Sequence, residues 1–589
     1  MAKLKDFPIL DLTGGLTTDR ADNLMENNQL KDSLNLDLDE AGRLKRRRGI
    51  QQYGDTASGI IDESFVFTFQ TSGSHPLTWH LFVDRATNAK LYRLYGNYTT
   101  LDITTASTVV TIGNMYIDFA NPSGTIEING DLIPYTGVTG NTFTGCSAIL
   151  KSHPAFSGVY QVVSKGSTGI DTRSGAYFSI LNNLLVIDGV SMATYNGTNI
   201  LEITDTDAPS GLFITNYRDR LYVAGSGATD AAKRRNGIPI RISYSAAGDP
   251  TDWGDYTTDY FDVEDDRGES ITGLREMNDV LLIFKQNSIF SYDEVQLKQR
   301  FWNVGAYSHK VIQKIGELLY TFCPSGVWVT NGTSAQNIGK PVEKYLKNFR
   351  PDFETTRGRV IINTFSGQIN GKYFLYLHDS TEPKTRSDVV LIYDTIKGKW
   401  TIHDTYTNFA HFGSFSTFLS GDPSCVTITG QSAAQHGESL FAGDTGGKYY
   451  RLFENTFYDC STTRTKRGGD IIPNMISNDV GSSVQTVAET KWYSIGDEPT
   501  QWAKLDRISV LIEQGTFQVS YRLDKGDHMT DWISLGDFKA ITTIKLKDNT
   551  GYRITFKITS NERDIIPIFN GIILKGRETI EQEKYGINR

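Results

Sequence analysis

The chain has 589 residues, 39% of them hydrophobic, with 59 basic against 68 acidic side chains and a formal charge of −9. That length predicts two to four domains, and no apolar run approaches the roughly 20 residues of a membrane-spanning helix. The acidic balance excludes a dedicated DNA-wrapping surface, which needs clustered positive charge, but not a wall past which DNA slides.

With 55 Gly, 29 Tyr and 30 Phe, the composition is that of a mostly β protein with many tight turns. The opening MAKLKDFPILDL lacks the apolar core of a secretory signal, so folding in a cytoplasm is expected. The cysteines Cys146, Cys323, Cys425 and Cys460 form no CxxC or metal-ligand spacing and read as free thiols.

Residues 1–54 read as an N-terminal arm. Gly14-Gly15 marks a turn, and the apolar spacing over 22–36 predicts one short helix with Asp22 as its cap. The alternation Leu36/Leu38 and Leu44 around Ala41-Gly42 predicts a β-hairpin. It carries the only dense basic cluster: Arg43, Lys45, Arg46, Arg47 and Arg48. These five are the candidate partner contacts, for an acidic protein surface or nucleic acid; the alternative is a solvated edge strand whose charges block pairing.

Residues 55–106 read as a first propeller blade, with strands FVFTFQ, HLFVDR and KLYRLYG. Residues 107–166 read as a small β module inserted between blades, centred on the hairpin TIEINGDLIPYTG, where Asn129-Gly130 is a strong turn signal. Residues 167–458 hold the remaining blades. A pattern recurs there: a turn, a hydrophobic strand, a Gly- or Asn-bearing turn, and a second strand ending in an aromatic. It is clearest at 278–292, 316–330, 371–402 and 438–453, and weaker at 182–195 and 217–244. One such hairpin cannot bury its apolar face alone; repeated units packed around an axis can, and a β-propeller is the closed form of that solution. A short helix is expected from Pro341 to Phe349, with Pro341 in its first turn. Residues 459–489 read as a polar linker loop. Residues 490–589 form a C-terminal β domain, with seven short strands over 490–580 that suit a sandwich or platform. The fold class is all-β: a propeller with an inserted module and a C-terminal sandwich-like domain.

No catalytic set assembles. None of the nine histidines has HExxH spacing, and GxSxG and Walker A motifs are absent. The loop 249–266 spaces carboxylates as oxygen-ligand cation loops do, but without the EF-hand pattern; Asp265-Asp266-Arg267-Gly268 reads more simply as a charged turn. Small-molecule sites of propellers usually sit in the central channel, whose lining cannot be picked from sequence. The chain therefore reads as a non-enzyme with no cofactor and no metal.

Three stretches in order, GGLTT…NLMENNQLKDSLNLDLDEAGRLKRRRG, SGTIEINGDLIPYTGVTGNTFTG and LREMNDVLLIFKQNSIFSY, resemble the tail nozzle, tail tubular or DNA-stabilisation proteins of short-tailed bacteriophages. The resemblance covers 1–50, 115–146 and 270–340. It implies propellers with added β platforms. It implies a homo-hexameric ring beyond the portal-adaptor ring, contacts to tail fibres or tip proteins, and genomic DNA passing the lumen without sequence-specific binding. It implies a virion structural protein, assembled in the host cytoplasm, that retains the genome and opens for ejection. The basic stretch 43–48 matches the family's Arg-rich signature; the module at 490–580 departs from its pattern. Loops 225–238, 245–268 and 459–489 are candidates for partner or lumen contact. The rival class is a carbohydrate-binding or carbohydrate-cleaving propeller of a phage tail.

Overall fold

The computed structural model describes residues 5–579, leaving out 70–76, 225–238, 379–387, 417–437, most of 455–481 and shorter pieces between strands. Among the described residues, seven sheets contain the four-stranded antiparallel order of propeller blades, the first of them extended to six strands. Blade 1 is Ile60–Phe69, Leu77–Arg85, Lys90–Tyr98 and Gly158–Ser167. Blades 2 to 6 open with Tyr177–Leu181, Phe213–Tyr217, Ile271–Met277, Gln313–Ile315 and Thr364–Ile369. Blade 7 takes Phe409–Ser416, Glu438–Asp444 and Tyr449–Glu454 from late in the chain. Its fourth strand is Gly49–Gln52, from the N-terminal region, so the ring is latched by both ends of the propeller segment.

The recurring pattern has a local cause. In blades 2 to 6 the first two strands are joined by two-residue turns, left-handed at both positions in Asn182-Asn183, Arg218-Asp219, Asn278-Asp279 and Asn370-Gly371, and at Gly316 alone in Gly316-Glu317. These match the right-handed strand twist, and Asn, Asp and Gly tolerate positive φ. Arg218 is the exception. Its guanidinium forks onto Asp279, the matching turn of the next blade, at 2.7 and 3.0 Å. In blades 1 and 7 the second turn is set by an aspartate. Asp84 accepts from the Lys90 N–H and the Tyr92 hydroxyl, and Asp444 accepts from the Lys448 N–H and the Tyr450 hydroxyl.

The apolar cores lie between blades. Phe67, Leu81 and Leu91 of blade 1 meet Leu185 and Tyr195 of blade 2. Phe82 and Tyr92 turn the other way, toward Phe441 and Tyr449 of blade 7. Because the middle strands bury both faces, they read as continuous apolar runs such as LLIF at 281–284. Phe82 stacks on Tyr449 with centroids 4.6 Å apart, at the joint where the ring closes. Gly443 permits that joint: a Cβ there would lie 2.5 Å from the Ile61 Cβ.

The second body is a β-sandwich. One sheet runs Leu36–Leu38, Leu44–Arg46, Ile568–Thr579, Ala503–Gln514 and Thr542–Lys545, with Lys5–Ile9 also paired to Ile568–Thr579. The other runs Leu30–Leu34, Thr486–Thr490, Arg553–Ser560, Phe517–Asp524 and Ile533–Phe538. Their facing side chains, among them Leu30, Leu44, Ile508, Val519, Phe556 and Leu574, make one core. Gly571, at φ +141°, lets the first strand approach: a Cβ there would lie 2.3 Å from the Ile9 carbonyl oxygen.

The N-terminal 54 residues therefore form no arm of their own. They supply strands to both sandwich sheets and to blade 7. The helix expected over 22–36 is a correction. Only Asp22–Leu24 is helical, a single 3-10 turn, and Leu30–Leu34 is a strand. Leu30 and Leu34 share a helix-like spacing, but cross-strand pairing with Thr486–Thr490 decides the conformation. Asp22 pairs with Lys31 at 3.1 Å instead of capping a helix. The helix expected near Pro341 is present as a 3-10 turn, Lys340–Val342, running into Glu343–Lys347.

The inserted residues do not merely protrude between blades. Gly124–Ile128 and Asp131–Tyr135 extend the outer edge of blade 1, and Gly158–Ser167 is that blade's own fourth strand. Most of 459–489 lies outside the described residues. Within it, Tyr458–Asp459 pairs with Ser482–Ser483 and Arg464–Thr465 with Ile471–Ile472, so the expected loop contains strand pairs.

Candidate functional site

The first strands of the blades surround the propeller axis, with neighbours in contact around the ring. Between blades 4 and 6 the ring is filled partly by a 3-10 turn, His309–Val311. These strands enclose an axial cavity of about 590 Å³. Alternation along each strand sends one set of side chains into it and the other between blades.

Its walls are charged and polar. Glu63 comes from blade 1, Arg275 and Glu276 from blade 4, and Lys310 and Lys314 from the start of blade 5. Lys310 faces Glu63 at 3.6 Å and Lys314 faces Glu276 at the same distance. Arg275 donates only a long bond, 3.4 Å, to the Ile312 carbonyl. Its Nε lies out of solvent contact and meets no acceptor among the described residues. Burial depresses the Arg275 pKa, opposed by the charge of Glu63.

His309 sits at the wall between Tyr177, edge-on at 5.4 Å, and Phe213, stacked at 5.7 Å. Its Nδ1 accepts the Leu274 N–H at 3.3 Å. Burial holds its pKa well below the ordinary value, helped by the charges of Arg275 and Lys310. The ring is therefore neutral at neutral pH, with Nδ1 occupied. Gly273 lets the turn come this close, since a Cβ there would lie 3.1 Å from His309 Cα. The floor is tied across blades: Gln313 donates to the Ser366 carbonyl at 2.9 Å, and the Ser366 hydroxyl donates to the Lys310 carbonyl at 2.8 Å.

Chemically this is a polar, cation-rich chamber. It pairs no hydroxyl with a free imidazole base, because His309 is held by its backbone contact. Among the described residues, no group of three or more His, Cys, Asp or Glu side chains is placed to hold a metal ion. Among the described residues of the acidic loop, Asp249 accepts from Thr251 and Asp252 from the Gly254 N–H in local turns, and Asp262 accepts from Arg241 on the neighbouring strand. Asp265 pairs with the buried Lys285 at 3.2 Å.

None of the basic cluster's described residues lines the cavity, and Arg46 and Arg47 require correction as partner contacts. Arg46 and Arg47 are each 1% exposed. Arg46 donates to the carbonyls of Glu562 and Ile565, and Arg47 Nε to Asn35 Oδ1 at 2.9 Å. Arg43 pairs with Glu513, two strands over in the same sheet, at 2.7 Å. Lys45 is half-buried, and Arg48 lies outside the described residues. Arginine's fixed fork satisfies several carbonyls at once, which suits it to cross a sandwich edge. Loop 225–238 is also outside the described residues. Sequence reasoning singled out the stretch containing Arg275 and Glu276 only for the resemblance it carries, not as a site; no sequence signal distinguishes an inward-facing side chain of an innermost strand.

No protein-family model matches the chain, and no curated protein does. Solved structures similar to it include the WD40 domain of Neurospora crassa Pan2, at 10% identity and a TM-score of 0.28, covering 61% of this chain and 90% of that one. BamB from Moraxella catarrhalis matches at 10% identity and 0.26, covering 60% and 99%. The β-propeller domain of the Trilobed protease from Pyrococcus furiosus matches at 11% and 0.27, covering 68% and 97%.

Proposed function

We propose that this chain is a non-enzymatic virion structural protein, a tail nozzle or hub subunit of a short-tailed phage. The observation that carries the reading is where the residues of the resemblance fall. Those of 1–50 build both sandwich sheets and latch blade 7. The hairpin at 124–135 extends blade 1, and the stretch at 274–292 is the heart of blade 4. The signature residues of 1–50 thus join two β bodies into one unit, as a part that transmits load between neighbours requires, while the other two stretches lie within blades.

Further support comes from the seam between the bodies. Leu16 N–H donates to the Trp400 carbonyl at 2.8 Å, Asn35 N–H to the Ile402 carbonyl at 2.8 Å, and Lys397 Nζ to the Leu38 carbonyl at 2.6 Å. Leu16, Leu34 and Val487 enter the core of blades 4 to 6. A cavity of about 590 Å³ does not pass a DNA duplex, so a genome conduit has to form between copies, as in a hexamer. The portal-adaptor ring, tail fibres or tip proteins, the passing DNA, and assembly in a host cytoplasm into the virion tail belong to this reading.

The test is cryo-electron microscopy of the purified chain alone and mixed with its portal and adaptor proteins. Sixfold rings with an open axis are expected. A chain that stays monomeric in every mixture and cleaves tail-receptor glycans would overturn the reading in favour of the carbohydrate-active class.

A further inference from the structure

We propose that the axial cavity is a binding site for a small oxyanion, a carboxylate or phosphate group gripped by Arg275. The inference stands apart from the tail reading, since it concerns one protomer and holds whether or not rings form.

Three cationic side chains and two carboxylates line the chamber, leaving one positive charge in excess. The excess is located at Arg275. Lys310 and Lys314 each face a glutamate, whereas Arg275 Nε, out of contact with solvent, meets no acceptor among the described residues. The charge that acts on Arg275 is that of Glu63, which already faces Lys310, and a buried N–H left without an acceptor is costly. The planar guanidinium fork matches two oxygens of a carboxylate or phosphate, and such charge-assisted pairs are among the strongest hydrogen bonds.

The surroundings favour an anion over a cation. His309, being neutral with Nδ1 already accepting, offers no negative charge. Ser179, Thr215 and Asn216 add hydroxyl and amide groups from two other strands. Phe65, half-buried, supplies apolar wall beside these groups.

Two sources share this chemistry, free phosphate and an acidic sugar. The experiment titrates the full chain with inorganic phosphate and, separately, with glucuronate, against chloride at matched ionic strength. Melting temperature and calorimetric affinity are the readouts. At least one oxyanion is expected to raise the melting temperature and bind with a Kd below about 1 mM, and which one does so identifies the source. Arg275→Gln is expected to weaken that binding at least 10-fold, and Arg275→Lys to give an intermediate loss, since the charge remains without the fork. Glu63→Gln removes a competing carboxylate and is expected to tighten binding several-fold, which keeps the test decisive if Arg275→Gln fails to fold. The proposal is overturned if neither anion exceeds chloride, if Arg275→Gln binds like the parent, or if Glu63→Gln leaves affinity unchanged or weaker.

Discussion

Asp37 Oδ1 lies 3.5 Å from His403 Nε2, which links the basic hairpin of the sandwich to the outer strand of blade 6. Lys372 of the same blade approaches Asp37 at 3.9 Å. Burial on its own would raise the Asp37 pKa; the His403 contact and the charges of Lys372 and Arg47 outweigh it and hold the carboxyl well below 3.8. Burial lowers the His403 pKa, so the two bodies share an ionised carboxylate held by an imidazole and the nearby Lys372 charge, beside their backbone hydrogen bonds.

This contact stabilises only while Asp37 is ionised. A depressed pKa contributes stability that is present above the unfolded-state value and lost as pH falls through the folded-state one. Asp37→Asn is expected to lower stability by about 1 kcal/mol at pH 7, a value discounted for the partial exposure of the pair. Its difference from the parent is expected to shrink as pH falls below about 3.8. Urea unfolding at pH 7 and pH 3.5 measures both.

His80 and His309 are buried and held well below the ordinary 6.5, in each case chiefly by burial. A histidine kept neutral by the fold binds its proton more readily when unfolded, so folding weakens as pH drops below 6.5. The expected loss is about 1.4 kcal/mol per histidine per pH unit below that value. Between pH 7.5 and 5.5 the two together are expected to cost about 3 kcal/mol. His80, bonded to the Tyr449 hydroxyl at 2.6 Å, is the one to replace. His80→Gln is expected to reduce the pH slope of the urea midpoint, with His309 and His403, also lowered chiefly by burial, supplying the remainder.

Ring closure depends on the fourth strand of blade 7. Ile50, 2% exposed, packs there against Leu452 and the core of blades 6 and 7. Ile50→Ala is expected to cost about 2–4 kcal/mol through the cavity it leaves. Gly443→Val is expected to separate blades 1 and 7, because its side chain would occupy the position of Ile61. Limited proteolysis reports both, with faster cleavage within 405–460 than in the parent.

The sandwich makes a sharper statement about the basic cluster. Arg46→Met leaves the carbonyls of Glu562 and Ile565 without their donor and is expected to cost about 1–3 kcal/mol. Lys45→Met, one residue away on the half-buried face, is expected to change stability by less than about 0.5 kcal/mol. Equal effects of the two in thermal unfolding would contradict the burial assigned to Arg46.

Much of the architecture was legible because its causes are local. Paired turn residues such as Asn278-Asp279 and Asn370-Gly371 announce hairpins, and apolar runs such as LLIF announce strands covered on both faces. The tail strands, from LDRISVLIEQ to FNGIILKGR, could be marked for the same reason. Where the cause was distant the reading failed. Leu30 and Leu34 look helical until Thr486–Thr490 pairs with them, and Arg46 looks solvated until Glu562 and Ile565 present their carbonyls.

What the chain settles alone is the unit: turn chemistry and alternation act between neighbouring residues, so each hairpin is written where it forms. Which hairpins become neighbours is a different matter. The pairing of Ile50 with Leu452, the seam at Asp37 and His403, and the convergence of Glu63, Arg275 and Lys310 on one axis join residues far apart in the chain. They arise from burying apolar faces around a closed ring, and only the folded molecule decides them.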